Sequence, residues 1–390
     1  MRTEMSTMPN PTPAEFRARF PALGDTAHLA SCSHGALSDT LATAMLEYQR
    51  TLGDDGVPWD RWIREVDTAR RMFADHIGAA HDEIAVVSCA SEAAFQVAST
   101  QDWAERPRIV TTDMEFPSVA HVWLAQQRRG ADVVHVADRD GVVPAEDYNA
   151  LIDGSCGLVS IPLISYRNGV RLPVEPVVSA ARAAGARVFI DAYQAVGVEP
   201  VDVTALGCDY LVSGSLKYLL GIPGIAFLYV RSGVVDAVAP QLTGWFGRVE
   251  PFAFDPRQLD FPAHARRFET GTPSVPSAFG AVAGMRVLAA VDPAAVTAHV
   301  AGLATQLHER LVDAGERIGS PADAALRGPQ VAVRDEDPDD LAAFLAARRI
   351  VTSPRGDLLR LSLHYYNNPD DLDAVVAGIR AYRATKGSVA

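Results

Sequence analysis

The stretch that decides the fold runs from Arg187 to Val230 and reads RVFIDAYQAVGVEPVDVTALGCDYLVSGSLKYLLGIPGIAFLYV. Its apolar runs predict three neighbouring buried strands, with a short helical turn between the first and the second. The first run ends in Asp191, and Lys217 follows the second run in an otherwise apolar context. Because ligands of open α/β sheets lie at the carboxyl ends of the strands, we expect this acid and this amine to meet there.

A lysine placed among leucines indicates a particular chemistry. Burial disfavours its charged form, so the pKa of Lys217 should fall and the neutral amine becomes available to form an imine. An aspartate nearby can keep a pyridine nitrogen protonated, and the two together are typical of a site for pyridoxal 5′-phosphate (PLP). A lysine stem packed on apolar surface and an aspartate that caps the next helix explain the same residues. This pair alone does not decide between the two interpretations.

Composition limits the function classes. The chain has 390 residues, of which 48% are apolar and 21% are charged, enough for a large domain and a smaller one. The formal net charge is −13 and no Lys/Arg cluster stands out, which argues against nucleic acid or an anionic membrane as a partner. No apolar run reaches the roughly 20 residues of a membrane span, and the N-terminus lacks the apolar core of a signal peptide.

The cysteines and histidines predict neither disulfides nor a metal site. The four cysteines are far apart and form no CxxC pair, so we expect a cytoplasmic protein with free thiols. His28, Cys32 and His34 lie close together in the sequence, but their spacing fits no standard zinc set.

From Ile84 onward predicted strands alternate with predicted helices, which indicates an α/β fold with a mostly parallel sheet covered by helices. We expect a tail and a helix at residues 1–30 that pack on a small domain, a large cofactor-binding domain at residues 31–278, and the small α+β domain at residues 279–390. The strands predicted in the large domain are Ile84–Val87, Arg108–Thr111, Val133–His135, Gly157–Ile161, Val188–Ile190, Tyr210–Val212 and Ala226–Val230.

Two clusters in the first half of the chain suit a flat, phosphorylated ligand. The turn Ser88–Ala93 joins a strand to a helix, and its small residues let backbone amides approach an anion. Phe116 stands at the end of the next strand, where an aromatic ring can stack on a planar cofactor. Each cluster also has a simpler interpretation. For the turn it is a helix N-terminus capped by Ser91, and for Phe116 it is an ordinary place in the core.

Taken together, these residues resemble the class V aminotransferases, PLP-dependent enzymes of fold type I. The resemblance covers the chain from about Ala27 to about Tyr382. It is most specific in three stretches, which are DAYQ with SGSLKY, RFETGTP at 267–273 and LRLSLHYYN at 359–367. It implies a homodimer with shared active sites and a small amino acid as the substrate.

The resemblance also implies roles at the cofactor ring. Lys217 would hold PLP as a Schiff base and then move a proton at the substrate Cα. Asp191 would pair with the pyridine nitrogen, and Gln194 would donate a hydrogen bond to the phenolic oxygen. Phe116 would stack on the ring.

A second set of implied roles concerns the phosphate. Ala90 and Ser91 would bind it through backbone or side-chain groups, assisted by Ser213 or Ser215. Thr272 would reach the phosphate of the neighbouring subunit.

The remaining implied residues face the substrate. Arg360 would bind the α-carboxylate as a bidentate fork, although an arginine at a strand end also occurs in surface ion pairs. Ser33 and His34 fall where kynureninases carry a substrate-side turn. Trp245, in the stretch TGWFG at 243–247, resembles part of a kynureninase motif and is assigned to the cofactor site.

The sequence favours one reaction over its alternatives. Residues 319–334 contain no cysteine where desulfurases carry their sulfur acceptor, which argues against a persulfide-forming enzyme. We expect a lyase that removes the Cα proton, stores the charge in a quinonoid and cleaves a side-chain bond, as C–S lyases and kynureninases do. An aminotransferase or epimerase on a small amino acid is the alternative, because it needs the same lysine, aspartate and arginine. A protein of this fold without catalysis is a third interpretation.

Three departures from the resemblance argue against kynurenine itself as the substrate. Gln194 stands where relatives have a histidine, and Arg248, after Gly247, also stands where kynureninases have a histidine. Leu216 stands where relatives have a phosphate-binding tyrosine or histidine. The residue order by itself does not show which of His34, His121 and His364 reaches the substrate.

Overall fold

The computed structural model describes residues 10–235 and 238–387, so residues 1–9 of the predicted tail lie outside the described part. The helices are α1 (Pro13–Arg17), α2 (Asp39–Asp54), α3 (Trp59–Ile77), α4 (Ala90–Ser99), α5 (Pro117–Ala125), α6 (Ala145–Asn149), α7 (Val174–Ala183), α8 (Val203–Leu206), α9 (Val275–Leu288), α10 (Pro293–Asp313), α11 (Pro338–Ala346) and α12 (Pro369–Gly387). The strands are β1 (Ala27–His28), β2 (Ile84–Val87), β3 (Arg108–Thr112), β4 (Asp132–Val136), β5 (Cys156–Pro162), β6 (Arg187–Asp191), β7 (Tyr210–Gly214), β8 (Ala226–Val230), β9 (Gln330–Arg334), β10 (Ile350–Val351), β11 (Ser353–Arg355) and β12 (Leu358–Ser362).

The central sheet has seven strands in the order β2-β8-β7-β6-β5-β3-β4. Strands β4, β3, β5, β6 and β7 run parallel, whereas β8 is antiparallel to both of its neighbours. All seven strands predicted in the large domain are present, and the prediction of a mostly parallel α/β sheet is confirmed.

Both faces of this sheet are buried, which explains why its strands read as continuous apolar runs. Successive side chains of a strand point to opposite faces. On β6, Val188 and Ile190 belong to one core cluster together with Phe73 of α3. Phe189 belongs to the other cluster, where its ring meets Trp123 of α5 at a centroid distance of 5.2 Å.

A second, three-stranded antiparallel sheet in the order β11-β12-β9 lies in the C-terminal part of the chain. The N-terminal segment packs here: β1 pairs with β10, and the Arg17 guanidinium lies 2.9 Å from Asp371. The predicted boundary between residues 278 and 279 falls inside α9, a largely buried helix that packs on α2 and α3. The division of the chain into these domains remains our proposal.

None of the described helices is by itself long and apolar enough to cross a membrane, although α9 and α10, bent at 84°, reach that composition as a pair.

Candidate active site

A cavity of about 250 Å³ opens beyond the carboxyl ends of β3, β5, β6 and β7. Its wall is completed by the N-terminal segment and by the strands β11 and β12 of the small sheet. The structure thus brings together residues that are far apart in the sequence. The predicted site residues that line the cavity are Ser33, Ala90, Phe116, Asp191, Gln194, Lys217 and Arg360.

Asp191 ends β6, the middle strand of the seven-stranded sheet, and is 6% exposed. The backbone amide of Tyr193 donates to its Oδ1 at 2.8 Å. Burial raises the pKa of the Asp191 carboxyl, while this amide and the nearby Lys217 ammonium oppose that rise. A carboxylate in this position is suited to hold a protonated nitrogen.

Lys217 is one of only two lysines in the chain. Its Nζ lies 5.4 Å from the centre of the Phe116 ring and 5.2 Å from that of Tyr193. Burial lowers the pKa of the Lys217 amine to about 8, although Asp191 works against this shift. The amine is therefore far easier to deprotonate than an ordinary lysine, as an imine-forming group requires.

The segment Ser33-His34-Gly35 supports the loop that carries the lysine. The amide of Gly35 donates to the Leu216 carbonyl at 2.9 Å. A β-carbon on Gly35 would come within 2.6 Å of the Lys217 carbonyl oxygen, so only glycine permits this approach.

Gln194 offers an unused polar atom to the cavity. Its Nε2 donates to the Cys32 carbonyl at 3.1 Å, while its Oε1 is buried with no hydrogen-bond partner in the described part of the chain. Because buried polar atoms are normally satisfied, this side chain indicates a missing ligand. Because the atom that faces the Cys32 carbonyl must be a donor, the free atom is the oxygen, which accepts a hydrogen bond from that ligand. The predicted donation to a phenolic oxygen would need Nε2, which is bonded to Cys32 here.

The first turn of α4 forms the anion-binding end of the cavity. The helix begins at Ala90, inside the predicted Ser88–Ala93 turn, and the side chain of its N-cap residue, Cys89, makes no hydrogen bond to its amides. Uncapped amides at a helix N-terminus attract anions. The Ser91 hydroxyl donates to the Ser118 carbonyl at 3.2 Å and so turns to α5 instead.

Tyr193 stands beside this turn and was not predicted, although it lies between Asp191 and Gln194. Burial and the Asp191 charge raise the pKa of its hydroxyl, and the Ala90 amide counteracts them. The phenol fills the space left by Gly214, where a β-carbon would meet its oxygen at 2.4 Å. The α4 amides form one end of the cavity, and the structure adds the Tyr193 hydroxyl there as a further hydrogen-bond donor.

Several predicted cofactor residues do not line the cavity. Ser213 is buried on β7 with an unpartnered hydroxyl, and Ser215 donates to the Ile222 carbonyl at 2.7 Å. Trp245 packs in an aromatic cluster, 5.9 Å from the Trp59 ring. This cluster comprises Trp59, Trp245, Phe246, Phe252 and Phe254.

Thr272 and His34 also lie elsewhere. Thr272 lines a separate cavity of about 60 Å³ beside Gly224 and Ser274. His34 is exposed, and its Nδ1 lies 2.7 Å from the Gly35 carbonyl.

Arg360 is a buried cation with no acidic partner among the described residues. It is 1% exposed in the middle strand of the small sheet. Its guanidinium donates to the Ser353 carbonyl at 3.2 Å, the Ser353 hydroxyl at 2.6 Å and the Tyr166 carbonyl at 2.8 Å. Since a buried charge without a counter-ion is costly, this geometry favours an anionic ligand such as a substrate carboxylate.

Glu115 is a second buried carboxylate close to the site, and its place next to Phe116 is the only sequence signal for it. It accepts hydrogen bonds from the Ser160 hydroxyl at 2.8 Å and from the Phe116 amide at 2.9 Å. Burial, and then the charge of Asp191, raises the pKa of Glu115 to about 8.

No histidine of the described chain lines the cavity. His121 is exposed on α5. His364 is buried, its Nε2 lies 2.9 Å from the Tyr218 carbonyl, and burial lowers its pKa to about 4. Among the described residues, Lys217 is therefore the lining side chain whose amine has a pKa close to neutral. The described residues also hold no group of three His, Cys, Asp or Glu side chains suited to a metal.

Two cysteines line the cavity, which the sequence did not predict. Cys32 is buried and Cys89 is exposed. The sequence argument against a sulfur acceptor considered residues 319–334 alone, and the fold brings these thiols to the cavity from the N-terminal third.

These residues fit PLP. An acid for the ring nitrogen, a neutralisable amine, the unsatisfied amide of Gln194 and uncapped helix amides for a phosphate share one cavity. Phe116 supplies an aromatic surface in the same cavity.

Comparison with known proteins identifies similar sequences. The family described as "Aminotransferase class-V" matches residues 59–375. The chain is 34% identical over 369 residues to "Uncharacterized aminotransferase YcbU" of Bacillus subtilis, covering 95% of this chain and 98% of that protein. It is 28% identical to "Kynureninase" of Deinococcus radiodurans, covering 94% and 92% of the two chains. It is also 28% identical to "Probable cysteine desulfurase" of Methanothermobacter thermautotrophicus, covering 80% and 82%.

The fold is likewise similar to a solved structure, the apo form of a cysteine desulfurase from Thermococcus onnurineus. The TM-score is 0.86 and the sequence identity 23%, with 97% of this chain and 99% of that chain covered.

Proposed function

The chain belongs to the class V aminotransferase family and is a PLP-dependent enzyme, and from this premise we propose that it is a lyase that cleaves a side-chain bond of a small α-amino acid. The observation that carries the proposal is the shared cavity of Lys217, Asp191 and Arg360. It places a deprotonatable amine, an acid and an unpaired guanidinium around one space.

In this proposal each side chain has a defined task. Arg360 binds the α-carboxylate and so fixes the substrate Cα relative to the amine of Lys217. Lys217 Nζ takes the proton from Cα and then delivers it to the departing side-chain atom. When bound, PLP supplies a ring that accepts electrons from Cα. Asp191 holds a proton at the ring nitrogen, and Gln194 and Phe116 orient the ring.

The apolar part of the wall supports elimination. Met114, Phe116, Pro162, Ile164 and Leu216 line the cavity, and their side chains limit access of water to the reacting carbon. Carbon–sulfur elimination from a small amino acid needs no catalytic water, whereas cleavage of an aryl side chain as in kynureninases is a hydrolysis, so the apolar wall suits elimination better. Relatives named for desulfurase activity support this reaction.

We propose a homodimer in which Thr272 reaches the cofactor phosphate of the second copy. Supporting this, Thr272 opens to a separate cavity and not to the one that holds Lys217. Large apolar side chains of the same region are exposed, which is typical of an interface. They are Val249 at 53%, Phe252 at 51%, Phe254 at 69% and Leu259 at 61%. We also propose a cytoplasmic location, consistent with its four free cysteines.

Borohydride reduction tests the cofactor attachment. Since the chain has only two lysines, peptide mapping after reduction distinguishes Lys217 from Lys386 without ambiguity. We expect the label on Lys217 alone, and loss of the visible absorbance band in Lys217→Ala. A label on Lys386 would contradict the assignment.

Product analysis tests the reaction. A lyase should turn over repeatedly on the amino acid alone and release a 2-keto acid, ammonia and the leaving group. The second candidate, an aminotransferase, is favoured by the name of the Bacillus subtilis relative. It should stop after one turnover until a 2-keto acid is added.

A further inference from the structure

A second arginine lines the cavity and has no part in the proposed reaction. Arg355 lies at the end of β11, and its side chain is exposed at the cavity rim. Its positive charge contributes to the lowered pKa of Lys217, which places the guanidinium near the amine. No ion pair joins Arg355 to any acid of the described chain.

The strand register places the side chains of Arg355 and Arg360 on the same face of the small sheet. In the β11–β12 hairpin Ser353 is opposite Arg360, and Arg355 is opposite Leu358. Residues two apart on a strand share a face, so Arg355 shares the face of Ser353 and hence that of Arg360. Diagonal neighbours of this kind have Cα atoms roughly 7–8 Å apart. The two guanidinium groups therefore approach the cavity side by side.

The hairpin turn is held in place, so this arrangement does not depend on a loose loop. Gly356 has φ of 58°, as the first central residue of a two-residue turn requires. The next residue, Asp357, forms ion pairs with Arg334 at 2.7 Å and Arg167 at 3.4 Å.

The charges that line the cavity do not balance. Among the described residues, Asp191 is the only acid that lines it, and the proposed function assigns that acid to the ring nitrogen and the α4 amides to the phosphate. Arg360 then takes the α-carboxylate, and Arg355 remains without a counter-ion. From this imbalance, and resting on the proposed function, we infer that Arg355 binds a second anionic group on the substrate side chain. The substrate class is an α-amino acid with a short side chain that ends in a carboxylate or a sulfinate.

Binding titrations of the holoenzyme test this assignment, with the cofactor absorbance as the readout. The probes are L-aspartate and L-cysteine sulfinate, compared with L-asparagine and L-alanine. We expect the wild type to bind L-aspartate at least about tenfold more tightly than L-asparagine, since a hydrogen bond between charged groups is worth that much. Arg355→Gln should abolish this preference and change the Kd for L-alanine less than about twofold. Arg128→Gln, which removes an exposed arginine far from the cavity, should retain the preference.

Two results would overturn the inference. One is a wild type that binds the anionic and neutral probes equally well. The other is an Arg355→Gln variant that binds L-alanine and L-aspartate more weakly by the same factor, because Arg355 would then bind the α-carboxylate together with Arg360. If none of the probes changes the cofactor spectrum, the proposed function fails along with the inference, and this outcome is distinct from spectral changes without a charge preference.

Discussion

The hydroxyl of Tyr193 occupies the place that a side chain on Gly214 would take. A β-carbon on Gly214 would lie 2.4 Å from the Tyr193 oxygen and 2.5 Å from two carbons of its ring. Gly214 ends β7, and Tyr193 follows the end of the neighbouring strand β6. Because Gly214 has no side chain, the Tyr193 ring can occupy this space, and its phenol reaches the first turn of α4.

Removal of this hydroxyl should weaken cofactor binding. We expect Tyr193→Phe to raise the Kd for PLP about tenfold, because one hydrogen bond to a charged phosphate is lost. The measurement is a fluorescence titration of the apoprotein with PLP. Tyr229→Phe, on β8 outside the cavity, is the control and should bind PLP like the wild type. Equal affinity in both variants would exclude Tyr193 from the phosphate site.

A methyl group on Gly214 should destabilise the fold. We expect Gly214→Ala to lower the free energy of unfolding by about 1–3 kcal/mol, as in other overpacked cores, measured by urea denaturation. Gly214→Ala should cost less stability in a chain that already carries Tyr193→Ala, because the ring that the methyl group meets is then absent. The control is Gly302→Ala on α10, where a β-carbon meets nothing within 4 Å and the helix should become slightly more stable. If Gly214→Ala costs the same stability with and without Tyr193→Ala, the clash is not with Tyr193.

The stability of the apoprotein should depend on pH through Lys217. Its pKa is about 8 in the folded chain and 10.5 as an ordinary lysine, so between these values only the unfolded chain holds the proton. The free energy of unfolding therefore rises as the pH increases from about 8 to 10.5. Below pH 8 the folded chain carries the full cost of burying the charged Lys217 ammonium. We expect Lys217→Met to be more stable than the wild type at pH 7 and to lose this advantage as the pH rises above 8, measured by thermal unfolding. Lys386→Met, at an exposed ion pair, should show no such gain.

The cavity thiols should not carry the reaction. Because the proposed elimination needs no sulfur acceptor, we expect Cys32→Ala and Cys89→Ala to retain most of kcat, and mass spectrometry of the turning-over wild type to find no persulfide. A persulfide on Cys32 or Cys89, together with loss of turnover in that variant, would instead indicate a desulfurase. Cys208→Ala, deep in the core, controls for general effects of cysteine removal.

Arg360 should act on the substrate and leave the cofactor unaffected. We expect Arg360→Gln to raise KM roughly a hundredfold, since a buried charge pair is lost, while the PLP absorbance spectrum and content stay unchanged. Steady-state kinetics and cofactor quantification measure the two effects. Arg360→Lys should recover only part of the affinity, because an ammonium cannot form the bidentate fork. A loss of PLP in Arg360→Gln would show that the residue supports the cofactor site itself.

Much of the large domain could be predicted from short stretches of sequence. Runs such as Val188–Ile190 are apolar on both faces because helices cover both sides of the sheet, so the strands were evident without tertiary information. The exact start of α4 was not evident from the sequence, since Ala90 and Ala93 are equally good helix residues. Its beginning depends on the extended backbone of Cys89, with φ of −165° and ψ of 172°.

The sequence by itself determined that Asp191 and Lys217 would meet, because the carboxyl ends of adjacent strands converge at one edge whatever the rest of the chain does. Only the tertiary structure decided the neighbours of this pair. Arg355 enters the cavity through the register of a hairpin, and Tyr193 through the space above Gly214. Trp245 and Thr272 lie outside the cavity for the same reason. The local sequence pattern shows at the end of which strand a residue lies. Contacts between distant segments arise from packing, which a short-range pattern does not encode.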